Sequence, residues 1–155
     1  MKKLFSVLAV LFVLGTVNVF ALGIGAQGGY TVNGSPSGAV TFKVESLPCV
    51  FAVNADIGSV TTIGVTADWW IANPVIEKTW HYYYGVGIAG GVAVGGDVSA
   101  FFVGGRALVG TNIFLLNNFL ELYLQAAWQP GITIVDGIHP VYNQIPVNAG
   151  LRFWF

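Results

Sequence analysis

The sequence predicts an all-β fold: an eight-stranded antiparallel up-and-down transmembrane β-barrel with a polar lumen and an apolar exterior. Strand-like segments recur at close intervals and are separated by turn residues. Within each segment apolar residues alternate with polar or small ones, and charges fall on the face opposite the continuous apolar set. The 155-residue chain is 55% hydrophobic and only 8% charged, which leaves too few charges to solvate the outside of a soluble barrel.

Eight predicted strands account for the chain after its first 21 residues. They are Leu22–Val32, Ala39–Ser46, Cys49–Ile57, Thr61–Ile71, Thr79–Val92, Ala100–Thr111, Phe119–Trp128 and Gln144–Phe155. Turn residues separate most of them closely, as in the segment Asn33–Gly38. The connection over 129–143 is rich in proline and glycine and is predicted as a longer loop.

Two other fold classes produce similar patterns. A soluble sandwich or lipocalin-like barrel also alternates, but its polar face lies outside and needs more charge than these strands carry. A helical membrane protein is suggested by the apolar stretch Gly85–Gly110, but Asp97 and Arg106 interrupt it and its glycine and valine content disfavours a helix. Because only helices and closed barrels satisfy every backbone amide in lipid, a closed barrel with an even strand number follows.

The N-terminus has the pattern of a secretory signal peptide. Lys2 and Lys3 precede an apolar run over Leu4–Leu14, and Val19–Ala21 has small residues at the positions that signal peptidase reads. We therefore expect a cleavable signal peptide over 1–21 and a barrel domain over 22–155. The alternative is an uncleaved anchor helix, although the apolar run is a little short to span a membrane.

Charge and cysteine content exclude several classes of function. Removing residues 1–21 leaves four basic and seven acidic residues, a net charge of 4 − 7 = −3, with no basic run to hold nucleic acid. The single Cys49 cannot form an internal disulfide. Metal-ligand clusters and phosphate-binding loops are absent from the sequence, so neither a metal nor a cofactor is predicted.

Catalysis finds little support, and we expect a protein that is not an enzyme. The two histidines are His81, at a strand end, and His139, in the predicted 129–143 loop. The serines of the predicted external loops are Ser35, Ser37, Ser59 and Ser99. Their spacing links none of them to His139, and a nucleophile needs a base within hydrogen-bond reach.

The charged face of the strands predicts a polar lumen with three positive and four negative side chains: Lys43, Glu45, Asp56, Asp68, Arg106, Glu121 and Arg152. Glu121 and Arg152 are predicted cross-strand neighbours, and Arg106 lies on the strand at the other side of Glu121. We expect one ionic cluster of these three residues and a second of Lys43, Glu45 and Asp68. An eight-stranded barrel is about wide enough for side chains to fill, so a polar plug is favoured over a selectivity gate.

The last predicted strand has apolar residues at every second position and ends on an aromatic: Val147, Ala149, Leu151, Phe153 and Phe155. If residue 155 ends in the periplasm, aromatic side chains, Trp70 among them, cluster at the periplasmic rim. Several of these would form an interfacial girdle: Trp69, Trp80, Tyr82, Tyr84 and Phe153.

Three segments carry a resemblance to a known group: the terminal LRFWF, the alternating FLELYLQ and the glycine-rich LGIGAQGGY. With them the chain resembles the small eight-stranded bacterial outer-membrane barrels, the group of the OmpA transmembrane domain, OmpX and OmpW, and more loosely the spirochaetal members of that set. The resemblance implies outer-membrane localisation with both termini in the periplasm, contact with outer-membrane lipid, and recognition of the closing strand by the barrel-assembly machinery.

Three hypotheses about function remain open at this point. The leading hypothesis is a structural barrel or a narrow pore for small, including hydrophobic, solutes, which resemblance to the OmpW group would imply. The alternative is a surface adhesin or host-protein binder centred on the 129–143 loop. A soluble lipid carrier is a weaker third hypothesis.

Overall fold

The computed structural model describes residues 21–32, 34–56, 61–95 and 98–155, which form eleven β-strands. They are β1 (Leu22–Thr31), β2 (Pro36–Val44), β3 (Cys49–Asp56), β4 (Thr61–Ala72), β5 (Val75–Glu77), β6 (Trp80–Gly95), β7 (Val98–Leu115), β8 (Leu120–Trp128), β9 (Gly131–Ile134), β10 (Ile138–Val141) and β11 (Pro146–Trp154). The predicted signal peptide, apart from Ala21, lies outside the described residues, as do Asn33, Ile57 and Asp97.

Eight of these strands form a closed antiparallel ring: β1, β2, β3, β4, β6, β7, β8 and β11. Each strand pairs with the neighbours that precede and follow it in the ring, and β11 returns to β1 to close the barrel. Two backbone hydrogen bonds between Leu22 and Phe155, of 3.0 and 3.1 Å, extend this seam. The predicted fold class is confirmed.

The strand registers determine how wide the barrel is. Followed one way around the ring, they connect Ile24 of β1 to Gly105 of β7. Followed the other way, they connect Ile24 to Leu115, so the shear number is 115 − 105 = 10. With eight strands about 4.8 Å apart and a rise of about 3.3 Å per residue, this shear gives a tilt of about 40° and a backbone radius of about 8 Å. Inward side chains fill a barrel of that width.

The two ends of the barrel differ, and we name them by what they carry. The terminal end holds Ala21, Phe155, the short strand β5 and the connections that follow β2, β4 and β7. The hairpin end holds the C-terminal ends of β1, β3 and β6 and the turn that follows β9. Both ends of the described chain therefore lie on the same side of the barrel.

The structure corrects the predicted 129–143 loop, because β9 and β10 form a hairpin there. β9 pairs with β7, with Gly131 opposite Gly104. This continues the register in which β8 pairs with β7, where Trp128 lies opposite Ala107. Proline lacks an amide hydrogen, and Pro130 falls where the β8 strand is interrupted before β9. The turn after β9 is built on Asp136 and Gly137, which have φ of 47° and 145°.

A second correction concerns β7, which was predicted to stop at Thr111 but continues to Leu115. Its alternation persists, since Asn112 faces inward and Ile113 outward. The turn begins only at Leu116–Asn118, where three consecutive residues have positive φ. The asparagine pair therefore marks the turn, and the four residues before Leu116 complete the strand.

The outer face of the barrel is apolar. Large hydrophobic side chains are exposed on all eight ring strands, with Val65 58% and Ile88 67% exposed. The six charged side chains that the described parts of the ring strands carry lie on the inner face instead: Lys43, Asp56, Asp68, Arg106, Glu121 and Arg152. In the described parts of the chain, no helix is long and apolar enough to cross a membrane.

Candidate functional site

The lumen holds the candidate site, and its centre is the carboxylate of Glu121, which is fully buried on β8. Arg152 Nη1 donates to Glu121 Oε2 at 2.6 Å, and Trp154 Nε1 donates to the same oxygen at 2.9 Å. Asn112 Nδ2 donates to Oε1 at 2.9 Å. The Arg152 guanidinium also lies over the ring of Tyr123, 4.8 Å from its centroid. We call these five residues the Glu121 cluster.

Strand pairing explains why the Glu121 cluster forms. The register of β8 with β11 sets Arg152 directly opposite Glu121, the adjacency that the alternation predicts. A buried carboxylate is tolerated only when it is paired and its remaining acceptor sites are used, and three donors do this for Glu121.

A second buried ion pair joins β4 to β7. Arg106 Nε donates to Asp68 Oδ1 at 2.8 Å and Nη2 lies 3.3 Å from Oδ2, so the contact is bidentate. Arg106 Nη1 also donates to Gln129 Oε1, and Gln129 Nε2 donates to Gln144 Oε1 at 3.2 Å. We call these four residues the Asp68 cluster.

The Asp68 cluster crosses a strand that separates its charged members. Asp68 pairs with Gly87 of β6, and Gly87 pairs with Arg106 of β7. A Cβ at position 87 would collide with Asp68 Oδ1 and lie 2.9 Å from Asp68 Cα. The absence of a side chain at Gly87 therefore lets the arginine reach two strands across the wall.

The structure regroups the predicted ionic clusters. Arg106 is paired with Asp68 and not with Glu121. Lys43 instead lies over two indole rings, with Nζ 5.0 Å from the Trp70 centroid and 5.6 Å from that of Trp154. Glu45 follows the end of β2 and is exposed, so the predicted cluster of Lys43, Glu45 and Asp68 does not form.

Asp56 occupies a different part of the lumen from the other charges. It ends β3 and lines a cavity at the hairpin end. Within the described residues its carboxylate is not part of an ion pair.

Aromatic side chains also pack inside the lumen, and the sequence did not predict how they contact one another. Trp70 and Tyr83 stack with ring centroids 3.9 Å apart and planes 12° from parallel. Alternation predicts Trp70 on the same face as Asp68, and its ring faces into the lumen, where it lines the terminal-end cavity. The Tyr83 hydroxyl donates to Gln125 Oε1 at 3.2 Å, and the Tyr123 hydroxyl donates to Gln27 Oε1 at 3.0 Å.

Alternation assigns both tyrosines to the inner face, and one further sequence signal could have shown where their rings pack. Tyr83 pairs with Gly110 and Tyr123 with Gly150, so each ring lies over a glycine on the next strand. A Cβ at Gly150 would lie 2.5 Å from Tyr123 Cζ. Inward aromatics opposite inward glycines are thus a cross-strand pattern that turn-based interpretation of glycine overlooks.

Two cavities lie at opposite ends of the lumen. The hairpin-end cavity has a volume of about 320 Å³ and the terminal-end cavity about 550 Å³, and they share none of their lining residues. The five largest fully buried side chains of the described chain belong to the lumen, and we call them the plug: Thr41, Tyr83, Asn112, Glu121 and Arg152. None of the five lines either cavity.

The predicted aromatic girdle residues face outward near the terminal end: Trp69, Trp80, Tyr82, Tyr84 and Phe153. Their side chains are 38 to 52% exposed. The alternate residues of the closing strand also face outward: Val147, Ala149, Leu151, Phe153 and Phe155.

The histidines lie apart from each other. His81 lines the terminal-end cavity, where its ring meets Phe114 edge-on with centroids 5.4 Å apart. His139 belongs to β10, where its Nε2 lies 3.2 Å from the Val135 carbonyl oxygen. Among the described residues, no group of three or more histidine, cysteine, aspartate or glutamate side chains is placed to hold a metal ion.

Comparison with known proteins places the fold. The crystal structure of Neisserial surface protein A (NspA) superposes with a TM-score of 0.50 at 16% sequence identity, covering 88% of this chain and 97% of that one. The fold is that of the small eight-stranded outer-membrane barrels. The resemblance predicted from the sequence is confirmed at the level of the fold.

Other comparisons add little. OmpT, an in-vitro folded outer-membrane protein of Vibrio cholerae, has a TM-score of 0.30 at 16% identity over 87% of this chain and 41% of that one. That superposition is too loose to support an inference. No protein-family model and no curated protein matches the chain.

Proposed function

We propose that the chain is an integral outer-membrane β-barrel that is sealed across its middle, and that it acts as a structural component and not as an open pore. The plug carries this proposal, because its five side chains are fully buried between two cavities that share no lining residue. The leading hypothesis from the sequence left open a structural barrel or a narrow pore, and this geometry fits the structural barrel better.

The outer face supports the membrane placement. A soluble barrel would carry charge outside, whereas here the charges of the described ring strands lie inside and the exterior is apolar. The aromatics near the terminal end suit one membrane interface. We propose that it is the periplasmic interface, so that both described chain ends, which lie at this end, are periplasmic. The outward apolar residues of β11 would then contact lipid after the barrel-assembly machinery has recognised the closing strand.

Replacing the outward residue Ile88 with arginine tests the membrane placement. In lipid the substitution should destabilise the barrel by about 2–4 kcal/mol near the midplane, because a charge is transferred into hydrocarbon. The measurement is urea unfolding of the protein folded into vesicles, followed by tryptophan fluorescence. In the matched variant Leu116→Arg, an exposed turn residue at the terminal end acquires the same charge with little effect. Equal stability of Ile88→Arg and the native chain would contradict lipid contact.

Planar-bilayer recording tests the seal. We expect the native barrel to insert without discrete channel openings, because the plug leaves no path for hydrated ions between the two cavities. Trp70→Ala with Tyr83→Ala removes the stacked aromatic pair and should introduce small openings, provided that the variant still folds. Frequent, reproducible openings of the native protein would overturn the proposal and restore the narrow pore.

A second candidate function is surface binding through the β9–β10 hairpin. The observation that favours it is the exposure of apolar side chains at the hairpin end, with Ile138 69% and Tyr142 64% exposed. We expect Ile138→Ser with Tyr142→Ser to reduce adhesion of expressing bacteria to host cells several-fold, measured as bound cells at equal surface amounts of folded barrel. Leu116→Ser, at an equally exposed position on the terminal end, is the control. Unchanged adhesion of the double variant would reject this role.

A further inference from the structure

The hairpin-end cavity is lined by polar side chains that neither the plug nor the lipid-facing surface requires. We propose that it binds a small neutral polyhydroxylated molecule, such as a single hexose unit. This inference rests on the proposed function only for the side of the membrane from which the ligand arrives. The chemical class of the ligand is inferred from the cavity residues alone.

The cavity wall is built mainly from neutral hydrogen-bonding side chains. Threonine and serine hydroxyls and the carboxamides of glutamines and asparagines line it, contributed by several strands around the ring and by β9, and the remaining wall is largely glycine and alanine. Hydroxyls and carboxamides both donate and accept hydrogen bonds. A polyol presents the same mixed character at every hydroxyl, whereas a purely anionic or purely cationic ligand does not.

Among the described residues of this wall, Asp56 is the carboxylate that lies outside an ion pair. Asp56 stands between two hydroxyl residues, because the registers set Ser37 opposite it on β2 and Thr62 opposite it on β4. All three residues line the cavity. The arginine at the cavity base, Arg106, is already occupied by Asp68. The free charge is therefore negative, and it accepts hydrogen bonds from hydroxyls while it repels acidic ligands.

A flat apolar surface lies in the same wall. Phe102 faces inward on β7, and its ring covers Gly104 and Gly131, where a Cβ at either position would lie 2.7 Å from a ring carbon. On β6 and β4, Gly91 pairs with Phe102 and Gly64 pairs with Gly91, so neither of these two positions of the cavity wall carries a side chain. The C–H face of a sugar ring can pack on such an aromatic surface while its hydroxyls meet the polar wall.

The size of the cavity limits the ligand. About 320 Å³ corresponds to about ten waters at roughly 30 Å³ each, which accommodates one sugar ring with a few retained waters. The volume is at the lower limit of ordinary ligand pockets, about 300–1,000 Å³. An extended oligosaccharide could place only its terminal unit inside.

Binding of simple glycosides to the detergent-folded barrel tests the inference. The probes are methyl α-D-glucopyranoside, methyl β-D-galactopyranoside and methyl α-D-mannopyranoside, titrated with saturation-transfer NMR. At least one should bind saturably, and Asn54→Leu and Thr66→Val should each weaken it about fivefold or more, because each removes a hydrogen-bonding group from the wall. Sodium glucuronate should bind more weakly than the glucoside, and Asp56→Asn should remove that difference.

Matched variants at the other end of the lumen control for indirect effects. Asn73 and Thr79 line the terminal-end cavity. The substitutions Asn73→Leu and Thr79→Val should therefore leave glycoside binding unchanged. The inference is overturned if none of the three glycosides saturates, or if the two pairs of variants affect binding equally. The glycoside titrations are made in detergent and need no membrane. A negative result would therefore reject the ligand site without affecting the proposed seal, and channel openings in bilayers would reject the seal without affecting the ligand site.

Discussion

Glu121→Leu is expected to destabilise the folded barrel by about 3–5 kcal/mol, the usual penalty for breaking a buried ion pair by removal of one partner. The loss arises mainly because Arg152, which is 1% exposed, would stay charged with no carboxylate beside it. Asn112 and Trp154 would also lose their acceptor. Urea unfolding in lipid vesicles measures the free energy of unfolding, and folded and unfolded barrels are distinguished by their migration in gels run without heating.

A double-mutant cycle separates the lost pair from lost packing. Glu121→Leu with Arg152→Leu removes both charges, and replacing a buried pair by apolar residues is often neutral or stabilising. The double variant should therefore be more stable than either single variant. Glu45→Leu, at an exposed carboxylate of the same end, should change stability by less than about 0.5 kcal/mol. A double variant as unstable as the sum of the singles would show that packing, and not the charge pair, stabilises the site.

The fold could be predicted from the sequence because its main evidence is local. Alternation with a period of two assigns each residue to a face, and it placed Lys43, Arg106 and Arg152 inside without knowledge of any contact. The hairpin at 131–141 could not be predicted in the same way. Pro130 and the Asp136–Gly137 turn are local signals of a loop, whereas long-range pairing with β7 keeps β9 in register.

The candidate site was predictable only where strand order decided it. Glu121 and Arg152 lie on consecutive ring strands, so register alone brings them together. Arg106 has a strand on each side, and alternation does not say which side it reaches across. The shear number, which determines how closely opposite walls approach, depends on all eight registers at once. The Trp70–Tyr83 stack is a contact between adjacent strands, because Trp70 pairs with Gly85, two residues from Tyr83 on β6. Alternation puts both rings on the inner face, whereas their stacking depends on the register of β4 with β6.

Arg106→Leu is the second substitution with a large expected effect, again about 3–5 kcal/mol of destabilisation. Asp68 is 3% exposed and lines neither cavity, so water cannot readily replace the guanidinium that it loses. The reverse change, Asp68→Leu, should be milder, because Arg106 lines the hairpin-end cavity and keeps its contact with Gln129. Vesicle unfolding of both single variants measures the difference between them.

The direction of that asymmetry distinguishes two explanations of the Asp68 cluster. If the pair is stabilised by mutual burial alone, both single variants should lose the same free energy. If the cavity hydrates one partner, Arg106→Leu must be the less stable variant. Gly87→Ala offers an independent check, because its Cβ would meet Asp68 Oδ1 and the Ala67 carbonyl oxygen, the latter at 2.6 Å, while both charges remain present. Gly87→Ala should lower the free energy of unfolding because it disturbs the Arg106–Asp68 ion pair. A Gly87→Ala variant as stable as the native chain would mean that Arg106 does not need the glycine to reach Asp68 across β6.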